Sequence, residues 1–219
     1  MSDEQSAVLS DDYTTVAGRA TAEFTERRSR FLSAIEPICS EAEAQARIAA
    51  VKKEYWDARH TVYAYVLRDG QIRRYSDDGE PQGTAGMPVL EVLERQGLTD
   101  CLITVTRYFG GILLGTGGLT RAYSHAAALA AEAASPVRMR RCVQVRVRCD
   151  YAAYGWLSPL LLSHGQVTDS DFAEEVAVCA VIPRDAYGTV EHQITEQSAG
   201  RLTPEVLGEV MAAFPSASA

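Results

Sequence analysis

Apolar and polar positions change period several times along this chain, and each change marks an element. Thr14 to Phe24 and Arg28 to Ile38 carry β-forming residues around the polar turn Thr25-Glu26-Arg27, which predicts a strand pair. Ser40 and Glu43 then form a capping box, and Ala44, Ile48, Val51 and Tyr55 recur at helical spacing, giving a helix with one buried stripe. His60 to Leu67 alternates and is rich in β-formers, so it reads as a strand turning at Asp69-Gly70 into Gln71 to Tyr75. Met87 to Gln96 reads as a short helix ending at Gly97, and Cys101 to Arg107 is a near-continuous apolar run suited to a buried central strand. Gly118 to Ser135 returns to helical period and is rich in alanine, whose small side chains allow close approach to a sheet.

Pro136 ends that helix and the pattern begins again. A strand over Val137 to Cys149, a helix from an Asp150 cap to Gly165, strands Gln166 to Phe172 and Val176 to Ile182, and a helix from Asp185 to Gly200 follow in order. A final strand at Arg201 to Thr203 would complete the ferredoxin-like β-α-β-β-α-β arrangement. Pro159 should kink the first of these helices or delay its start to Ser158. The expected organisation is a disordered acidic start over 1–12, a first domain over 13–136, a ferredoxin-like domain over 137–204, and a short helix with a flexible tail over 205–219. For the first domain, periodicity delivers an α+β sandwich with its helices on one face.

No apolar run approaches the roughly 20 residues that span a bilayer, and the acidic opening lacks the charge and apolar regions of a leader, so a cytoplasmic protein with no membrane partner is expected. Five scattered cysteines without a C-x-x-C pair argue for reduced, buried thiols rather than a disulfide framework or zinc site. The net charge of −8 resides in Asp150 to Ala219, where ten acidic residues face only Arg184 and Arg201. Phosphate-tracking proteins are usually basic overall, so DNA is not an expected partner and any RNA contact must be local.

The remaining signal is glycine. Nine of the sixteen glycines fall between Gly79 and Gly118, eight of them in two stretches. The first holds Asp77, Asp78, Glu80, Gly83 and Gly86; the second holds Arg107, Tyr108, Phe109, Gly110, Gly111, Gly115, Gly117, Gly118, Arg121 and Tyr123. Amides exposed at a helix N-terminus can hold an anion, with Arg107 and Arg121 supplying formal charge, and the aromatic residues could stack on bases. Equally, the glycines can serve tight packing, with each arginine paired to an acid of the first loop. Asp77, Asp78 and Glu80 with His60 as an accessory ligand fit neither the calcium loop nor a helix-borne zinc motif, so no metal and no cofactor are expected. The same four residues make a hydrolase the alternative to a binding module. Ser124 and His125 diverge by roughly 100° on a helix and cannot form a serine-base couple; His125 reads as partly buried.

These stretches, RYSDDGEPQGTAGMP from Arg74 and VTRYFGGILLGTGGLTRAY from Val105, resemble the signature of the YigZ/IMPACT family. Ser29-Arg30-Phe31, Asp57-Ala58-Arg59-His60 and Val167 to Pro183 extend the likeness to about Thr14 to Thr203. Val62 departs from it, standing where many relatives carry cysteine, which removes a Cys-His couple with His60. The resemblance implies a first domain similar to the second domain of ribosomal protein S5, followed by a ferredoxin-like domain. It also implies a translation-linked regulator acting through a ribosome, translation-factor or RNA contact, since eukaryotic members bind the ribosome-associated activator of the amino-acid-starvation kinase. Neither pattern nor resemblance fixes an oligomeric state.

Overall fold

A computed structural model describes residues 12–215 of the chain. The expected acidic start therefore lies outside the described residues apart from Asp12, as do the last four residues of the expected tail. The protein is α+β with a two-domain architecture, its compact units meeting in sequence between Arg138 and Met139.

The first unit contains β1 (Tyr13–Val16), β2 (Ala20–Glu26), β3 (Ser29–Pro37), α1 (Glu41–Glu54), β4 (His60–Leu67), β5 (Ile72–Ser76), α2 (Gly86–Arg95), β6 (Cys101–Tyr108) and α3 (Thr116–Ala133). Its antiparallel sheet runs β2-β3-β6-β4-β5, with β6 central as the apolar run requires. Phe31, Ile35, Val62, Ala64, Ile103 and Val105 turn one face towards α2 and α3, where the fully buried Ala126, Ala127 and Ala130 bring α3 close. Leu102, Tyr65 and Leu67 project from the other face onto Ile48 and Ala44 of α1. Helices thus cover both faces rather than one, because β4 and β6 are apolar at both alternations.

The long N-terminal strand also divides. The Thr14 carbonyl accepts from Thr99 and the Ala17 amide donates to the Ser135 carbonyl, drawing β1 away from β2 around Gly18. The β2-β3 turn then closes on Arg27-Arg28, both at positive φ (46° and 65°), one residue later than the composition suggests.

The second unit continues β7 (Pro136–Cys149) into α4 (Tyr151–His164), β8 (Gln166–Phe172), β9 (Val176–Pro183), α5 (Arg184–Gln197) and β10 (Glu205–Pro215). Strand neighbours β10-β7-β9-β8 give the split ferredoxin-like order. Val145, Val147, Val178 and Ile182 meet Leu157 and Leu161 of α4 and Val190 and Ile194 of α5. The α4 helix runs through Pro159 from its Asp150 cap, which accepts from the Ala153 amide at 2.7 Å; Gly155, one turn before the proline, gives the backbone latitude there.

Two expectations fail at the C-terminus. Arg201 to Thr203 form a loop, tied down by the Ser198 hydroxyl accepting from the Leu202 amide, and residues 205–215 form β10 instead of a helix and tail. The reason is pairing across the sheet, where Glu205 meets Arg146 at 3.6 Å and Glu209 meets Arg141 at 3.0 Å.

Candidate functional site

The acidic loop follows β5 and its carboxylates are turned inward to the backbone. Asp77 accepts from the amides of Gly83, Ala85 and Gly86 at 2.8, 3.0 and 2.8 Å, closing the loop and capping α2 from a distance. Asp78, at φ 45°, accepts from the Thr61 amide at 2.7 Å and pairs with Lys52 at 2.6 Å. The carbonyl of Asp78 accepts from His60 Nδ1 at 2.8 Å, so that nitrogen carries the proton. Gly86 has no room for a side chain, since a Cβ would stand 2.8 Å from the Ser76 carbonyl.

Glu80 joins this loop to the second one. Its Oε1 accepts from Arg107 Nη1 at 2.7 Å and from the Tyr123 hydroxyl at 2.8 Å, among side chains nearly excluded from solvent. Burial, then the Glu80 charge and hydrogen bond, push the Tyr123 hydroxyl well above the ordinary tyrosine range. Arg107 Nη2 donates to Ser29 Oγ at 3.3 Å, and the Gly110 amide donates to the same oxygen at 3.2 Å. Gly110 packs so tightly on the Arg28-Ser29 peptide that any Cβ would overlap it. A buried ion pair, a tyrosine and a serine thus lock β6, α3, the acidic loop and the β2-β3 hairpin together.

Outside this lock the second loop presents apolar groups. Phe109 is 45% exposed, Ile112 40% and Leu113 81%, while Trp56, one residue before the Asp57 that accepts from Tyr108, is 82% exposed. The Arg107 guanidinium lies 5.5 Å from the Phe109 ring. Below the loop a 350 Å³ cavity is lined by Arg59, His60, Arg107, Phe109, Leu113 and Thr116 among others. Arg121, with Arg27, lines a separate 240 Å³ hollow across Gly118. His125 is exposed, against the expected partial burial, and stands edge-on to Phe24 with centroids 4.8 Å apart.

Arg107, Tyr123, Glu80 and Gly110 therefore come together, Asp77, Asp78, Gly83 and Gly86 make the adjoining scaffold, and Arg121 and Gly117 stand apart from it on α3. Pattern reading missed Ser29 as the link and missed the outward Trp56, Ile112 and Leu113. The signal available for those three was apolar residues inside glycine-rich or charged connections. Among the described residues no cluster of three or more His, Cys, Asp or Glu is placed to hold a metal ion. No described helix is long and apolar enough to cross a membrane.

A two-domain α+β protein with a loop face scaffolded by a buried ion pair is the class these features define. Residues 27–131 match the Impact N-terminal domain and 147–201 match a domain of unknown function, DUF1949. The IMPACT family member YvyE of Bacillus subtilis is 40% identical over 149 residues, covering 68% of this chain and 67% of its own. The IMPACT family member YigZ of Escherichia coli is 32% identical over 180 residues, covering 80% and 88%. A crystal structure of a hypothetical protein superposes with a TM-score of 0.59 at 30% identity, covering 91% of this chain and 98% of that one. The chain belongs to the IMPACT family.

Proposed function

We propose that the protein is a non-catalytic binding module of the cytoplasm that acts on translation through a contact made by the glycine-loop face of its first unit. One observation carries this reading. The polar groups that could do chemistry are engaged in holding the loops, while Phe109, Ile112 and Leu113 face solvent above them. A carboxylate that must accept three backbone N–H groups, or share a proton-rich cluster with an arginine, is poorly free to move protons for a substrate. Exposed aromatic and aliphatic groups on a rigid scaffold, beside arginines, are what protein partners bury. Resemblance to eukaryotic family members, which bind a ribosome-associated activator, directs the choice of partner to a protein component of the ribosome or its factors.

Co-sedimentation of the full chain with ribosomes, before and after nuclease treatment, tests the proposal. A nuclease-resistant complex is the expected result, and loss on nuclease treatment would move the contact to RNA. Turnover in a broad hydrolase screen that disappears in Asp78→Asn, with no ribosome contact, would replace the binding reading altogether.

A further inference from the structure

The α3 helix begins without a cap. Gly115 precedes it at φ 70° with no side-chain acceptor, and its first turn holds no acidic residue. The first three amides, of Thr116, Gly117 and Gly118, have no carbonyl to bond within the helix, and they carry the positive end of an 18-residue helix dipole. Gly115 and Thr116 line the 350 Å³ cavity, so this end of the helix opens into a solvent-accessible cleft.

Two arginines line the same cavity. Arg107 is only 5% exposed, and its buried Nε has no hydrogen-bond partner although Nη1 and Nη2 are engaged. Such a group costs free energy unless an acceptor reaches it. Glu80 is the acid lining this space, and its Oε1 already serves Arg107 and Tyr123. Arg59 has no ion pair among the described residues and is exposed at the cavity wall. After Arg107 and Glu80 offset each other, one cation and a helix N-terminus remain. Phe109, Leu113 and Leu114 add apolar lining to the same cleft.

We propose that this cavity is a subsite for an oxyanion, phosphate or carboxylate, carried on a small apolar or aromatic body. The helix amides and Arg59 bind the charged head, and the loop's apolar residues cover the body. Its volume lies near the lower end of ligand pockets, about 300–1,000 Å³, so a bare ion would leave most of it unfilled. The proposal rests on the loop face being a binding surface and names the chemistry recognised there.

The test titrates the ¹⁵N-labelled full chain with sodium phosphate, phenyl phosphate and benzoate while following the Thr116, Gly117 and Gly118 amide resonances. Saturable shifts at these amides are expected, with phenyl phosphate binding more tightly than inorganic phosphate. Benzoate separates a general oxyanion site from a phosphate-selective one, and either answer supports the subsite. Arg59→Ala should weaken phenyl phosphate about tenfold, as loss of a charge-assisted bond does. Thr116→Pro removes one donor at the first helical position, where proline is tolerated, and should weaken it with the fold intact. Absence of saturable shifts, or equal affinity in both variants and the parent, overturns the subsite. Ribosome co-sedimentation of the unaltered full chain, run in parallel, keeps the two ideas apart: partner binding that survives failure of the probes leaves the loop-face reading standing.

Discussion

Glu80 carries two hydrogen bonds on one buried oxygen, and the consequences of altering it follow from charge. Glu80→Gln leaves the Arg107 guanidinium buried without a counter-charge, which should cost about 3–5 kcal/mol in chemical denaturation. Arg107→Met in the same chain should recover part of that loss, and strict additivity of the two substitutions would show that they do not act as a pair. Alkaline pH probes the same core. Burial and then Asp100 push the Cys101 thiol from 9.0 up to about 12, and Tyr123 lies above the ordinary tyrosine value. The folded chain keeps protons that the unfolded chain releases, so stability is full below pH 9.0 and falls as pH rises through the folded value of about 12. Within that window the slope from the thiol is roughly 1.4 kcal/mol per pH unit, and Cys101→Ala should flatten it. An unchanged slope in denaturation midpoints between the two chains contradicts the assignment. Composition suggested that Arg107 would meet an acid of the first loop, and it does, but no local pattern could choose Glu80 over Asp77 or Asp78. Only the burial of Glu80 against Tyr123, a contact 43 residues apart in sequence, decides it.

The β2-β3 hairpin shows how an element can be built against local preference. Two-residue turns of this kind require positive φ at both central positions, which Asn-Gly adopts readily and Arg27-Arg28 adopts with strain. Replacing Arg27-Arg28 by Asn-Gly should therefore raise stability by about 0.5–1 kcal/mol. It should also weaken partner binding if the exposed arginines contribute there, and a destabilised hairpin in thermal denaturation would refute the strain. Helices and central strands were legible because α1, α3 and β6 each impose one period on buried residues such as Ile48, Ala126 and Ile103. The β10 strand was not, because Val206, Leu207, Val210 and Met211 stay exposed and the strand forms by pairing with β7, where Glu205 and Glu209 meet arginines. Information held in a cross-strand partner some 60 residues away leaves no local period.

At the scale of the molecule, charge and apolar exposure are divided between the units. The second unit carries ten acidic residues against six arginines, and three of its β7 arginines are engaged internally: Arg140 with Asp185 at 2.8 Å, Arg141 with Glu209 and Arg146 with Glu205. Its field opposes phosphate, so raising salt should change ribosome affinity little if the contact is made by the apolar loop of the first unit. The central claim is that this loop, and not the second unit, makes the contact. Its most direct test compares the full chain with Leu113→Asp, a change at an 81% exposed position that leaves the core untouched, in equilibrium binding to ribosomes. A loss of at least about tenfold in affinity is predicted, as for a central apolar anchor. Equal affinity of the two chains would contradict the account.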